Sequence, residues 1–228
     1  MNIDFHSHII PKIDDGSSSL QMSFEMLAEL KNQGVDVVVA TPHFLPMRMS
    51  VATFLDKRNS AAKGLVTVDS PKILLGAEVA YAFEIEKLKG LESLCIEGTK
   101  TLLLEMPMRK WSMEEVNAIS SIIFDRNLDV VIAHLDRYYA LQSKDVLHYL
   151  FKLPIYVQIN TASLCTIMGK KHTIKLLDLG KGQVIGSDAH NMSTRPPRIY
   201  EGREVIRKKL GQTKLNEIDE TAKEILNL

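Results

Sequence analysis

Short apolar runs alternate with amphipathic stretches along most of this chain. The runs are rich in Val, Ile and Leu and too short for surface helices, so they predict strands that are buried on both faces. Seven strands are predicted, at residues 1–8, 35–41, 72–76, 101–105, 129–134, 155–160 and 183–188. Because helical patterns separate most of them, we expect right-handed β–α units and an α/β fold built on a parallel sheet or barrel.

The stretches between and after the strands carry apolar residues at helical spacing. They predict helices at residues 20–30, 51–64, 112–127, 144–151, 173–179, 200–210 and 214–228. The serines at 17–19 offer N-caps to the first helix, Gly34 ends its pattern, and Ser112 caps the third helix. Residues 44–50 predict a loop, and residues 81–100 give no clear pattern beyond a short helix and a turn.

The composition is that of one globular domain, residues 1–228. The chain is 45% hydrophobic, and its 28 basic and 28 acidic side chains give a formal net charge of zero. A nucleic acid or an anionic membrane surface is therefore not indicated as a partner. Cys95 and Cys165 form neither a metal motif nor a disulfide framework. With no signal sequence and no membrane-spanning run, the protein is expected in the cytoplasm, without membrane insertion.

The first strand ends in two histidines. Side chains of an extended chain alternate between faces, so His6 and His8 project the same way, about 7 Å apart along the strand. Two imidazoles aimed at one point favour a divalent metal ion, and Asp14 or Asp15 just beyond could add an oxygen ligand. His-x-His alone is equally typical of a solvated strand end, so the pair needs support from the rest of the chain.

Six of the seven predicted strands end in a residue that can bind a metal ion. The carboxyl ends of parallel strands share one face, so these side chains are expected to converge. A lone buried histidine is usually a satisfied core residue, but buried charge at six strand ends is costly unless it is paired or metal-bound. The candidate ligands are His6, His8, Asp14, His43, Glu78, Glu105, His134, Asp188 and His190.

The candidate ligands are too many for one metal ion that must keep an open coordination position for water or substrate. Two or three ions are therefore expected. The donors are nitrogen and oxygen without thiolate, which suits Mn, Fe, Co or Zn. Such a cluster keeps positive charge, which favours a phosphate group and a bridging hydroxide as the attacking nucleophile. Arg137 and Arg195, on loops after two of the strands, are candidate phosphate ligands, and Arg109 and Arg198 are weaker ones.

Other phosphate chemistries lack their motifs. A cysteine-nucleophile phosphatase needs an arginine six residues after the cysteine, and Thr101 and Lys171 occupy those positions. Neither a Walker A loop nor a G-x-S-x-G elbow occurs. A nuclease would favour a basic groove, which the neutral composition disfavours.

Six segments resemble the PHP-type metal-dependent phosphoesterases, and more closely the bacterial capsular-polysaccharide protein-tyrosine phosphatases of the CpsB/YwqE type. In chain order they are FHSHIIPKIDDGSSS, ATPHF, GAEV, LLLE, AHLDRY and GSDAHN. The resemblance implies a distorted (β/α)7 PHP-type barrel with the metal centre at the C-terminal ends of the strands. It also implies three Mn²⁺ ions bound by the candidate ligands above, with Arg137 and Arg195 as catalytic, phosphate-binding residues.

The resemblance further implies the substrate: a phosphotyrosine-containing protein, namely the tail of a membrane-associated tyrosine kinase that controls capsular or exopolysaccharide synthesis. Two departures from the family pattern bear on peptide recognition. Leu135 and Asp136 replace a Pro-Glu pair, and the stretch after His43 lacks a polar, Gly-containing loop. Two alternatives stay open: a phosphatase of a small phosphomonoester such as histidinol phosphate, and a non-catalytic PHP module that binds a partner.

Overall fold

The computed structural model describes residues 1–65 and 70–228. Each of the seven predicted strands is found, and two short strands that were not predicted bring the number in the described residues to nine. They are β1 (Ile3–Ser7), β2 (Val37–Ala40), β3 (His43–Phe44), β4 (Lys72–Leu75), β5 (Glu78–Ala80), β6 (Thr101–Glu105), β7 (Asp129–Ile132), β8 (Tyr156–Asn160) and β9 (Val184–Gly186).

All paired strands run parallel. Their orders are β1-β2-β4 in one sheet and β3-β5-β6-β7-β8-β9 in the other. A bridge between Ser7 and Ala189 then brings β1 beside the end of β9, and the backbone N–H of Asp188 donates to the carbonyl of His6 at 2.8 Å. The result is an α/β fold with a curled parallel sheet, as the alternation of strands and helices predicts.

The two strands that were not predicted, β3 and β5, follow β2 and β4 where the chain passes from one sheet to the other, and β3 includes Phe44 of the predicted loop. Pro42 has no backbone N–H to donate, so β2 ends at Ala40 and pairing resumes at His43. A similar gap separates β4, which ends before Gly76, from β5, which begins at Glu78. β3 and β5 pair with each other, and His43 lies directly opposite Glu78. These interruptions therefore place two candidate ligands side by side.

Eight helices occur in the described residues: α1 (Leu20–Asn32), α2 (Val51–Ala62), α3 (Met113–Phe124), α4 (Leu135–Tyr138), α5 (Lys144–Leu150), α6 (Thr161–Leu164), α7 (Ile167–Asp178) and α8 (Ile199–Leu226). The predicted caps are confirmed, since Ser19 accepts from the N–H of Met22 and Ser112 forms a capping box with Glu115. Gly211, with φ of 88°, breaks α8 between the two predicted helices.

The predicted helix 173–179 is wrong at its start. α7 begins at Ile167, because the Thr166 hydroxyl accepts from the N–H of Gly169 and caps it. Ile167 and Met168 are 92% and 80% exposed, so the first turn carries apolar residues that do not face the core. Hydrophobic spacing therefore could not locate this helix start. The short α4 and α6 also lay outside the predicted helices.

Every second side chain of the strands points inward, and these side chains fill the space beneath the C-terminal strand ends. Phe5, Leu103 and Val131 are fully buried in one apolar cluster, against which the end of α8 packs through Ile225. Leu103 and Glu105 share a face of β6, so the same alternation that buries the leucine directs the carboxylate toward the candidate site. No helix among residues 1–65 and 70–228 has the length and apolar character needed to cross a bilayer.

Candidate metal centre

Four side chains from three separate strand ends converge on one point. The Nε2 atoms of His6 and His8 lie 3.1 Å apart. Oε2 of Glu78 lies 3.3 Å from each of them, and Oδ1 of Asp188 lies 3.7 Å and 3.4 Å away. All four residues are buried. Two imidazole nitrogens and two carboxylate oxygens at this spacing surround a position suited to one divalent ion.

Glu78 extends this arrangement to a second position. Its Oε1 lies 2.6 Å from Nε2 of His134, and its Oε2 lies 2.9 Å from Nδ1 of His43. The carboxylate of Glu105 approaches the same two imidazoles, with 3.7 Å to each. Glu78 is thus shared between the two positions, as expected for a carboxylate that bridges metal ions.

A third group lies at the outer edge of the cluster. Oδ1 of Asp15 is 3.5 Å from Nε2 of His43 and 3.5 Å from Nε2 of His190. His8 completes this group, whose four donor atoms lie within 4.8 Å of one another. The aspartate is largely exposed, so this position is the one nearest to solvent.

The structure places Asp14 beside the cluster and outside its groups of metal-binding atoms. One of its oxygens accepts from Nδ1 of His8 at 2.7 Å and from the N–H of His43 at 2.9 Å. The other oxygen accepts from the N–H of Gly16 at 2.9 Å. Asp14 therefore orients His8 from behind, and its neighbour Asp15 offers the oxygen donor. The remaining eight predicted ligands are all in the cluster.

Three buried donor atoms in the cluster have no hydrogen-bond partner: Oε2 of Glu78, Nδ1 of His43 and Nε2 of His190. A buried polar atom without a partner costs free energy, so such atoms are rare in native folds. His43 and Glu78 approach to 2.9 Å without the alignment of a hydrogen bond. Buried ligand atoms that lack hydrogen-bond partners fit bound cations, which would satisfy them.

The charges in the cluster are mutually compensating. Burial alone would raise the pKa of Glu78 and of Asp188, yet the neighbouring histidines, first among them His6, together outweigh it and hold both pKa values well below their usual range. Burial would also lower the pKa of His8, but hydrogen bonds to carboxylates, first that of Asp14, raise it well above 6.5.

Neutral side chains fix the orientation of two imidazoles. Oε1 of Gln158 accepts from the backbone N–H of His134 at 2.8 Å and lies 3.1 Å from Nδ1 of His6. The Tyr138 hydroxyl donates to the carbonyl of Ala133 at 2.9 Å and lies 2.6 Å from Nδ1 of His134. With Nδ1 engaged in this way, each ring presents Nε2 to the cluster.

Both predicted arginines lie at the edge of the cluster. Arg137 donates through Nη2 to Oδ2 of Asp188, and Nη2 of Arg195 forms an ion pair with the same oxygen at 2.8 Å. Asn160 donates to the same oxygen at 2.7 Å. A cavity of about 220 Å³ is lined by these residues and by Arg198, one of the weaker candidates. The cavity is therefore positively charged and adjoins the buried cluster. Arg109, the other weak candidate, is paired with Glu115 elsewhere.

Sequence analysis missed several members of the site, although the pattern of β8 held a signal for two of them. Gln158 and Asn160 are polar residues two apart in an otherwise apolar strand. Because alternate residues share a face, two buried amides at that spacing indicate a polar network on the inner face. Nothing in the sequence separates Asp15 from Asp14, since adjacent carboxylates in a turn are distinguished only by its geometry.

The fold agrees with comparisons to known proteins. A family model described as capsular polysaccharide synthesis, CpsB/CapC, matches residues 2–227. Tyrosine-protein phosphatase CpsB of Streptococcus pneumoniae is 31% identical, over 95% of this chain and 94% of that protein. Tyrosine-protein phosphatase YwqE of Bacillus subtilis is 29% identical, over 92% of this chain and 85% of that protein.

A solved structure supports the same relationship. One chain from the crystal structures of Bacillus subtilis YwqE and Streptococcus pneumoniae CpsB, which are called unique metal-dependent tyrosine phosphatases, superposes with a TM-score of 0.85. It is 26% identical, and the match covers 99% of this chain and 94% of that one. Since the family model spans nearly the whole sequence and the fold matches over its full length, this chain belongs to the CpsB/CapC family of capsular polysaccharide synthesis.

Proposed function

We propose that this chain is a metal-dependent protein-tyrosine phosphatase, and hence a phosphoric monoester hydrolase. The observation that carries the proposal is the set of three buried donor atoms without hydrogen-bond partners, on Glu78, His43 and His190, beside a cavity lined by arginines. Such donors fit divalent ions, and such a cavity fits a phosphate group. The relatives that cover nearly the whole chain are named tyrosine-protein phosphatases.

The proposed centre holds three divalent ions, and Mn²⁺ is the proposed metal. The donor set of nitrogen and carboxylate oxygen also suits Fe, Co or Zn. In the proposal the ligands are the eight clustered residues together with Asp15, which replaces Asp14. The ions would supply the Lewis acidity and the activated nucleophile that hydrolysis of a phosphate ester needs. We further propose that the fold is a distorted barrel of seven β–α units, with β2–β3 and β4–β5 each counted as one interrupted strand.

Arg137 and Arg195 have the proposed role of binding the phosphate group. Both guanidinium groups are about a third exposed at the cavity and are anchored on Oδ2 of Asp188, while Oδ1 of that carboxylate faces His6 and His8. A phosphate in the cavity would therefore lie between the arginines and the buried cluster. There the two cations would stabilise the negative charge that develops on the phosphoryl oxygens.

The proposed substrate is a phosphotyrosine residue on a protein of capsule synthesis, and the proposed partner is a tyrosine kinase tail. A phenol leaves more readily than an alkyl alcohol, so the chemistry makes little demand on a strong general acid. Free Cys95 and Cys165 are consistent with a reducing cytoplasm, the proposed location.

Hydrolysis of p-nitrophenyl phosphate and of a phosphotyrosine peptide tests the proposal. Activity should appear with Mn²⁺ and disappear after chelation, and His43→Ala should lower kcat at least about a hundredfold, since it removes a donor of two metal positions. His172→Ala, an exposed histidine on α7, is the matched control and should retain activity. Faster turnover of histidinol phosphate than of the peptide would refute the proposed substrate, and full activity without metal would refute the centre.

A further inference from the structure

A groove of about 570 Å³ lies next to the candidate metal centre. It is lined by the loop after β5, at residues 81–86, and by the first half of α3. Tyr81 connects the groove to the centre, because its backbone N–H donates to the carbonyl of Glu105 at 2.8 Å. Pro107, two residues beyond Glu105, also lines the groove. Its volume falls within the roughly 300–1,000 Å³ that is usual for ligand sites.

The groove combines exposed aromatic surface with an excess of acidic groups. Phe83 lies on the wall of the groove and is 85% exposed. An aromatic ring in water lacks the favourable free energy that its burial would provide. The charged residues of the lining comprise four carboxylates and one guanidinium: Glu84, Glu86, Glu114, Glu115 and Arg109. Its chemistry is thus opposite in sign to that of the arginine-lined cavity on the other side of the centre.

Two of the four carboxylates are already neutralised by pairing. Arg109 binds both oxygens of Glu115, at 2.7 Å and 3.0 Å, and Lys87 pairs with Glu84. Among the residues that the structure describes, Glu86 and Glu114 form no ion pair, and Oε2 of Glu86 is buried without a hydrogen-bond partner. Within the described residues, the negative charges of these two carboxylates are therefore not neutralised by an ion pair.

The direction of the pKa shift of the Tyr81 hydroxyl indicates the sign of the electrostatic potential in the groove. Burial raises its pKa, and the negative charges of Glu115, Glu86 and Glu114 raise it further, against the smaller opposing effect of Arg109. The field at this ring is thus net negative, even with the guanidinium included. A cationic group near the ring would be stabilised both by the carboxylates and by the face of the aromatic ring.

We propose that this groove binds the polypeptide segment that flanks the phosphotyrosine, and that Glu86 and Glu114 select a lysine or arginine in that segment. The inference rests on the proposed phosphatase function. Tyr81 is hydrogen-bonded to the backbone of Glu105, so a chain leaving the centre past Glu105 would meet Tyr81 and the groove that it lines. Phosphate in the positive cavity and a basic side chain in the negative groove would fix the register of the substrate.

The test compares phosphotyrosine peptides that are identical except for lysine or glutamate at each of the two positions before and after the phosphotyrosine. For the best lysine position, kcat/KM should exceed that of the glutamate peptide about fivefold, which corresponds to about 1 kcal/mol. The double variant Glu86→Gln, Glu114→Gln should lose this preference. Added salt should reduce it in the unmodified protein, because charges at an open groove are screened.

The matched control is Glu25→Gln, Glu220→Gln, which neutralises two carboxylates on α1 and α8, outside the groove lining. It should keep the preference for lysine. Equal rates for the two peptides, or a preference that survives in the groove variant, would overturn the inference. If the metal-loaded protein hydrolyses no aryl phosphate, the proposed function fails by itself. The groove is then judged by fluorescence anisotropy with the same peptides carrying a non-hydrolysable phosphonate in place of the phosphate ester.

Discussion

Replacing Gln158 with methionine is the sharpest test of how the candidate centre is built. The side chain is fully buried, and methionine keeps its length and most of its volume while removing both polar atoms. Oε1 of the glutamine serves the backbone N–H of His134 and Nδ1 of His6, and its Nε2 donates to Asn160 at 2.9 Å. The substitution therefore leaves three polar groups without their partner, two of them on candidate ligands.

The expected magnitude follows from these three contacts. Each lost hydrogen bond costs about 1 kcal/mol, so the metal-free protein should lose about 3 kcal/mol of stability. For a chain of this length, 1 kcal/mol shifts Tm by about 2–4 °C, which predicts a fall of roughly 6–12 °C. Because the ring of His6 loses its orienting partner and the backbone of His134 loses its acceptor, metal affinity should also fall about 10–100-fold.

Thermal unfolding of the metal-free protein and titration with Mn²⁺ measure the two effects separately. Gln183→Met is the matched control, since Gln183 makes one similar bond, from the N–H of Val157 at 2.8 Å, before the start of β9 and away from the ligands. It should lower Tm modestly and leave metal affinity unchanged. An unaltered affinity in Gln158→Met, or an equal loss of affinity in the control, would refute this view of the site.

Three further predictions concern the same centre. Asp15→Asn should weaken Mn²⁺ binding at least about tenfold with little change in the Tm of the metal-free protein, whereas Asp14→Asn should mainly lower that Tm, because Asp14 accepts three hydrogen bonds. Gly186→Ala should cost about 1–3 kcal/mol, since a Cβ there would lie 2.7 Å from Cβ of His6 and 2.9 Å from its backbone nitrogen. Burial lowers the pKa of His6 and His8, but nearby carboxylates outweigh it and raise both, so the stabilisation by Mn²⁺ should increase between about pH 6 and pH 8 as protons leave the ligands.

The sign of the pH effect differs for the metal-free protein. A histidine with a raised pKa in the fold stabilises it fully below the unfolded value of about 6.5, and this contribution is lost as pH rises through the folded pKa. Metal-free Tm should therefore fall over the range in which the shift caused by Mn²⁺ grows, and a pH-independent shift would count against histidine ligation.

Calorimetric titration tests the prediction for Asp15→Asn and Asp14→Asn, where equal losses of affinity would contradict the separate roles of the two aspartates. Chemical denaturation of Gly186→Ala with unchanged stability would show that the close approach is relieved elsewhere.

Much of this architecture could be predicted from the sequence, because it depends on interactions between residues that are close together in the chain. Short runs of β-branched residues separated by amphipathic stretches indicated buried parallel strands, and the seven predicted strands are present. Serine hydroxyls before Met22 and Glu115 cap their helices because that interaction is complete within one turn. The face shared by His6 and His8 follows from the two-residue repeat of a strand. A parallel sheet gathers its carboxyl ends on one edge, which explains why residues so scattered in the sequence could be grouped.

Contacts between distant segments decided the rest, because they depend on sheet curvature and register rather than on local preference. Gln158 reaches His6 across 152 residues, and Asp4 accepts from the Ser187 hydroxyl across 183 residues, which holds β1 beside β9. The turn after His8 places Asp15 in the cluster and Asp14 behind it, a choice that two identical adjacent side chains cannot encode. The sequence by itself determined the elements and most of the chemistry that they carry, and only the tertiary structure decided which polar atoms face one another and which remain for a ligand.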